Sequence, residues 1–323
     1  MENENPIEVS ISKSIQPTFD SIQNFVAVFI NDLDVKKSSK ETYSREMKQF
    51  IEYWYNNLEG RINLTREDIL NYKKYLTEEK ALSPLTVSSY VLIVRKFFEW
   101  LESKKGYPNI AKGIKGAKRA KGFRKDPLVL HQIKSLLSSI PRDSLKGKRD
   151  YAIINLLIRT GLRTIEVVRA DVSDIRQEGG EAVLWIQGKG REVKDEFVVL
   201  TPDTLDPIYD YLSLRNVKSD PEPLFASVSL RNNNERLTTR SVSHIVKTRL
   251  RNAGINNKRL TAHSLRHTAI TLALQAGATI QEAQALGRHS NINTTLIYAH
   301  NVNRILNAPE RKIDKLLSSG DID

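Results

Sequence analysis

His263-Ser264-Leu265-Arg266-His267, followed by Gly287-Arg288-His289 and then by Tyr298, is the stretch that decides how this chain is read. A second stretch upstream belongs with it: Thr160-Gly161-Leu162-Arg163-Thr164-Ile165-Glu166. Two arginines, several histidines and one tyrosine each fall at the edge of a predicted helix. Gly161 breaks an apolar helical run, and a new helix is expected just after it. His263 and Arg266 are three apart, so they share one helical face or its capping turn. Such a set can hold a phosphodiester and attack it with a phenol. A guanidinium holds two nonbridging oxygens in a planar fork, which an ammonium does less well. A fixed positive clamp on a transition state that gains negative charge is a large catalytic contribution. The nucleophile must carry the phosphoryl group covalently, and the leaving oxygen needs a proton donor. A phenol with a reference pKa of about 10 attacks only when its surroundings ease the loss of its proton.

Each residue taken alone has a plainer reading. A single Arg is usually a surface cation, and a Tyr at helical spacing is usually core or surface filler. Leu265, Ile270 and Leu274 are read as the core face of the same helix that projects the polar residues. Four of the six histidines lie between 263 and 300, as a metal site would also require. The neighbouring arginines would repel a cation and no carboxylate cluster is nearby, so no metal is expected.

The composition agrees with a polyanionic partner. The 323 residues hold 50 Lys and Arg against 38 Asp and Glu, a formal charge of +12, which points first to nucleic acid. There is no cysteine, which excludes disulfides, thiolate metal sites and a cysteine nucleophile. No apolar run is long enough to span a membrane, and the polar, acidic Met1-Glu2-Asn3-Glu4-Asn5-Pro6 is unlike a signal peptide. A soluble, cytoplasmic, nucleoid-associated protein is expected.

The expected architecture is mainly α with a small β-sheet (α+β). Residues 1–17 lack periodicity. Residues 18–103 read as four helices with short loops: Phe25, Val28, Phe29 and Leu33 mark one face, a second helix starts at a Ser39 cap, Thr65 and Asp68 suggest a capping box, and Ser83-Pro84 a cap with proline at the first helical position. Residues 104–126 read as a basic interdomain linker. Lys104, Lys105, Lys112, Lys115, Lys118, Arg119, Lys121, Arg124 and Lys125 are met with no acid between 104 and 125, either as a solvated linker or as a strap that tracks phosphates. From 127 to 323 a second domain is expected, with helices over 130–140, 148–159, 202–214, 241–253, 264–275, 280–286 and 294–300, and strands over 183–187 and 196–200 joined by the turn Gly188-Lys189-Gly190-Arg191-Glu192. Ile305, Leu306, Ile313, Leu316 and Leu317 form a terminal apolar stripe, buried either on its own domain or on a neighbouring subunit.

These motifs resemble the tyrosine recombinase (lambda-integrase) family, in detail over 127–310 and only in general architecture before that. The resemblance implies a helical core-DNA-binding (SAM-like) domain and a catalytic domain closing on DNA as a C-shaped clamp. It implies Arg163 and Arg266 as the phosphate-clamping arginines, Glu166 in support, His263 as the acid/base histidine, His267 as a packing or hydrogen-bonding support, and Tyr298 as nucleophile. Lys189 matches the β-turn lysine that protonates the leaving 5′ hydroxyl, with Lys194 and Arg191 as nearby substitutes. The family usually shows Leu-Gly-His; here Arg288 stands between glycine and histidine, so His289 is placed as the phosphate-binding histidine by its spacing from Tyr298. The family's reaction forms a 3′-phosphotyrosine link and proceeds through a Holliday junction in a homo-tetramer on double-stranded DNA, without a cofactor and sometimes with an accessory DNA-bending or directionality protein. Since the helical domain starts near residue 18, a compact form is expected, either an Xer-like resolvase or a mobile-element integrase. A type IB topoisomerase and an inactive DNA-binding relative are the lesser alternatives. Base-reading candidates are Ser39, Lys40, Thr42 and Arg45 on the second helix, and Ser88, Ser89 and Arg95 on the fourth.

Overall fold

The computed structural model describes residues 19–60, 63–118, 126–188, 190–215, 217, 221–306 and 308–318. The chain divides into two compact units, residues 1–121 and 122–323.

The first unit holds α1 (Phe19–Asp32), α2 (Lys37–Leu58), α3 (Arg66–Glu78) and α4 (Pro84–Lys105). Their apolar stripes meet in an aromatic core of Phe29, Phe50, Trp54, Tyr72, Phe97 and Phe98, all buried. Phe50 meets Tyr72 edge-on at 5.0 Å, and Phe29 meets Phe97 at 5.4 Å, geometries that add about 0.5–1.5 kcal/mol per pair beyond area burial. Local chemistry fixes two helix starts as expected. The Thr65 backbone N–H donates to Asp68 Oδ2 at 2.7 Å, and the Ser83 hydroxyl accepts from the Thr86 N–H at 3.3 Å ahead of Pro84. The Ser39 start does not hold: α2 begins at Lys37, and its cap residue Lys36 supplies no side-chain capping bond.

The stretch read as a linker is part of this unit's core over 107–117. Ala111 and Ile114 are buried in it, Tyr107, Ile110 and Ala117 pack against it, and Ser88 donates to the Ala117 carbonyl at 3.2 Å. The apolar residues are spaced irregularly among lysines and glycines, which hides them from a periodicity test.

The second unit is built around α6 (Leu145–Thr160), whose Ala152, Ile153, Ile154, Leu156 and Leu157 are buried, so that its second half is enclosed on nearly every side. Before it comes α5 (Leu130–Ser138), after it the short α7 (Thr164–Arg169) and one 3-10 turn, Val172–Asp174. A three-stranded antiparallel sheet follows in the order β1 (Ile175–Glu178), β2 (Glu181–Ile186), β3 (Glu196–Val199), with Ile175 opposite Leu184 and Trp185 opposite Phe197. Then come α8 (Pro202–Leu214), α9 (Thr239–Asn252), α10 (Ala262–Gln275), α11 (Ile280–Gly287), α12 (Ile292–Leu306) and α13 (Pro309–Ser318). Helices α10, α11 and α12 pack on one another, and α10 also packs on α6. This places the ends of α6, α7, α10 and α11 together. On α13, Ile313, Leu316 and Leu317 are 55 %, 69 % and 73 % exposed, so this part of the stripe is not folded onto its own domain; the side chains of Ile305 and Leu306 lie outside the described ones. Among the described residues no helix is long and apolar enough to cross a membrane.

Candidate active site

Four helix ends converge, and the orphan groups at those ends hold the arginines. Helix α6 stops at Gly161, which takes φ +61 as its left-handed cap, a conformation that costs glycine little. Its carbonyl accepts from Arg266 Nη1 at 2.6 Å. The other arm of Arg266 donates to the carbonyl of Gly287, the last residue of α11. Helix C-terminal carbonyls carry partial negative charge and lack intrahelical partners, so they suit a guanidinium. Arg266 is only 2 % exposed. Burial, then repulsion from Arg163 and Arg288, pulls its pKa down to about 10, which leaves it charged at neutral pH.

Arg163 caps the start of α7, and Glu166 reaches back to it. Glu166 is wholly buried; its Oε2 accepts the Arg163 backbone N–H at 2.7 Å and its Oε1 accepts Arg163 Nη1 at 2.7 Å. The Thr-Gly-Leu-Arg-x-x-Glu pattern is thus a helix stop, a helix start and an ion pair in seven residues. Arg163 keeps 28 % of its side chain exposed and, with Arg266, His263, Thr261 and Thr164, lines a cleft of about 380 Å³.

The aromatic side of the site is a row of rings. His263, exposed, meets His267 edge-on at 4.6 Å; His267 lies 5.2 Å from the Tyr298 ring; Tyr298 stacks on His289 at 6.0 Å and 23°. Tyr298 Oη and His267 Nδ1 form a hydrogen bond of 2.5 Å. The phenol is 3 % exposed, and burial pushes its pKa up to about 12 against the lowering influence of Arg266. His289 Nδ1 bonds the buried Thr295 hydroxyl at 2.9 Å, and the Gln284 amide donates to the His289 carbonyl at 2.9 Å. Burial first, then Arg266, Arg163 and Arg288, depress the His289 pKa to about 4, so the ring is neutral at neutral pH. Gly287 is needed there for space: a Cβ would lie 2.8 Å from His289 Cε1.

The structure therefore brings Arg163, Glu166, Arg266, His263, His267, His289 and Tyr298 into one place. Lys189 lies outside the described residues, as do Arg119, Lys121, Arg124 and Lys125. The two substitutes for Lys189 are otherwise engaged. Lys194 is held by Asp171 at 2.7 Å and Asp174 at 2.5 Å, which raise its pKa against the opposing effect of burial, and Arg191 pairs with Asp195 at 2.8 Å. In the helical unit, Lys40 donates to the Asn31 carbonyl at 2.7 Å, Thr42 to Ser38 at 3.0 Å and Ser89 to the buried Glu46 at 2.7 Å, so those side chains serve the fold. Arg45, Arg95, Lys104, Lys105, Lys112, Lys115 and Lys118 are exposed. Sequence reasoning missed Arg288 and the Thr295 hydroxyl that holds His289 as parts of the site. Arg288 had been visible only as an irregularity in the Leu-Gly-His pattern.

The profile of the phage integrase family matches residues 128–304, more than half of the chain, and that of the phage integrase N-terminal SAM-like domain matches residues 69–112. The chain belongs to the phage integrase family, the tyrosine recombinases. Among relatives of this family, tyrosine recombinase XerD of Listeria monocytogenes serovar 1/2a is 29% identical over 286 residues, spanning 87% of this chain and 94% of the relative. Tyrosine recombinase XerC of Leptospira interrogans is 28% identical over 296 residues, spanning 86% and 89%. In fold, the chain is similar to the XerH site-specific recombinase bound to palindromic difH substrate, with a TM-score of 0.73 at 18% identity over 92% of this chain and 97% of that one. It is also similar to a lambda integrase dimer bound to a COC′ core site, with a TM-score of 0.67 at 14% identity over 84% and 96%. As a member of this family the protein is a site-specific DNA recombinase.

Proposed function

We propose that Tyr298 cleaves one DNA strand by attacking the scissile phosphorus. The Tyr298 Oη–P bond forms and the P–O5′ bond breaks, leaving a 3′-phosphotyrosyl link and a 5′ hydroxyl. The phenol's proton passes to His267, its hydrogen-bond partner at 2.5 Å, rather than to the exposed His263 that the resemblance implies, and the leaving 5′ oxygen takes a proton from Lys189. Arg163 and Arg266 take the two nonbridging oxygens, with neutral His289 and His263 as further donors. A 5′ hydroxyl from a partner duplex then attacks the link in reverse, so the bond energy is retained and no cofactor is consumed. The observation that carries this reading is the Tyr298–His267 bond, which puts the one tyrosine of the site against a base on the helix that holds Arg266.

In the resting protein the phenol, buried and with its pKa near 12, is protected. The exposed cations of the helical unit follow DNA phosphates, so affinity falls with salt. Two successive exchanges through a Holliday junction complete recombination in a tetramer. The uncovered α13 stripe supports that assembly, because an apolar helix face at a chain end gains by docking on a neighbour. The test is Tyr298→Phe on a nicked duplex carrying a bound site: DNA binding persists and the covalent complex disappears. A covalent complex formed by that variant would remove Tyr298 from the role.

A further inference from the structure

Arg288 is an uneconomical residue for the stability of its turn. It closes α11 with φ +46 and ψ 50, a left-handed cap that glycine or asparagine adopts with less strain. Its side chain is only 6 % exposed, and its Nε–H is buried without an acceptor. Burial lowers its pKa, with Glu166 opposing that effect and Arg163 adding to it.

What the side chain does hold is the wiring between the two clamping arginines. Arg288 Nη2 donates to Glu166 Oε2 at 3.0 Å and to the Gly161 carbonyl at 3.0 Å, while Nη1 donates to the Leu286 carbonyl at 2.9 Å. Glu166 is the carboxylate that grips Arg163, and the Gly161 carbonyl is the one that accepts from Arg266. The Arg288 backbone carbonyl also accepts from Arg163 Nη2 at 3.1 Å. One residue thus reaches Arg163 by two routes and Arg266 by one, and its left-handed turn delivers the chain to His289. Glu166, the carboxylate bonded to both Arg163 and Arg288, faces three guanidinium groups, with Glu196 also acting on Arg288, so the cluster carries excess positive charge that the backbone carbonyls help to hold.

We propose that Arg288 is a positioning residue: it locks Arg163 and Arg266 into one rigid fork for the scissile phosphate without touching that phosphate itself. This rests on the clamp reading given above. Strain and an unmet N–H at a functional site are consistent with a residue kept for geometry rather than for stability.

The test compares Arg288→Gly, which relieves the cap strain, with the unaltered protein and with Arg163→Ala. Single-turnover cleavage is measured at saturating DNA on two nicked duplexes, one with a normal scissile phosphodiester and one with a neutral methylphosphonate there. The methylphosphonate presents no second charged oxygen, so it relaxes the need for an exact fork. Arg288→Gly is expected to stay folded, at a lower melting temperature because Glu166 loses a buried partner, and to keep its DNA affinity, yet to cleave the phosphodiester about 10- to 100-fold more slowly, the loss expected of clamp atoms displaced by about an ångström. On the methylphosphonate its rate is expected to come within about threefold of the unaltered protein, since preorganised charge matters less there. An equal loss on both substrates, or no loss on either, overturns the proposal. Arg163→Ala separates the two layers: if it too gains nothing on the neutral substrate, the clamp assignment fails, and Arg288 with it.

Discussion

Gly287→Ala should separate stability from activity. Gly287 ends α11, and a Cβ added there would lie 2.8 Å from His289 Cε1, 3.0 Å from Nδ1 and 3.1 Å from Nε2. The ring must retreat by about 0.6 Å or more to regain van der Waals separation. Its other side is occupied, since it stacks on Tyr298 at 6.0 Å and its Nδ1 is tied to Thr295 at 2.9 Å. Loss of that hydrogen bond costs about 0.5–1.5 kcal/mol. Replacing a helical glycine by alanine contributes up to about 1 kcal/mol in the other direction. The two nearly offset, so the melting temperature should stay within about 5 °C of the starting protein. Cleavage should fall about 10- to 100-fold, because a misplacement near 1 Å is enough to spoil a preorganised phosphate site. The assay is single-turnover formation of covalent complex on a nicked duplex, alongside a thermal melt. Cleavage within twofold of the starting rate would show that the His289 ring position is unimportant. A collapse of the fold would show that the ring cannot yield, and would equally refute the reasoning.

Two further outcomes are expected. Lys189→Ala should slow cleavage strongly and recover on a substrate with a 5′-thio leaving group, which needs no proton; failure to recover, measured as single-turnover rate, would count against Lys189 as the donor. The pH dependence of stability should carry the mark of His289. Its pKa is depressed to about 4 from an ordinary 6.5, so between those values the unfolded chain binds a proton that the native state refuses, and stability falls as pH is lowered through that window. Denaturant titrations from pH 7 to pH 4.5 should show this fall, and His289→Gln should flatten it; an unchanged slope in that variant would place the depressed group elsewhere.

What the sequence made legible was chemistry settled within a few residues. The Thr65–Asp68 box, the Ser83-Pro84 start and the Thr160–Glu166 segment each carry their own explanation, because the bonding partners lie on the same turn. The apolar stripes of α4 and α6 were legible for the same reason, their periodicity being local. Strand β1 was not: Arg176, Gln177 and Glu178 are polar and exposed at a sheet edge, so alternation gives no signal. The packing of 107–117 depends on Ser88 and on a core completed by other helices. In the site, residue types and order were readable, but the bond of His267 to a tyrosine 31 positions away and the role of Arg288 required the tertiary structure. Arg288 broke a familiar pattern, and a broken local pattern at a site is where tertiary wiring tends to be found.

The most direct test of the central claim is to map the covalent adduct. Protein and nicked duplex are mixed in EDTA, the complex is digested with trypsin and the DNA-linked peptide is identified by mass. Cleavage after Arg288 and Arg304 yields a peptide in which Tyr298 is the single tyrosine, so the assignment is unambiguous. The account predicts that this peptide is joined to a 3′ phosphate, with a free 5′ hydroxyl on the released strand. Attachment through another residue, a link to a 5′ phosphate, or cleavage that appears only when a divalent metal is added would contradict it.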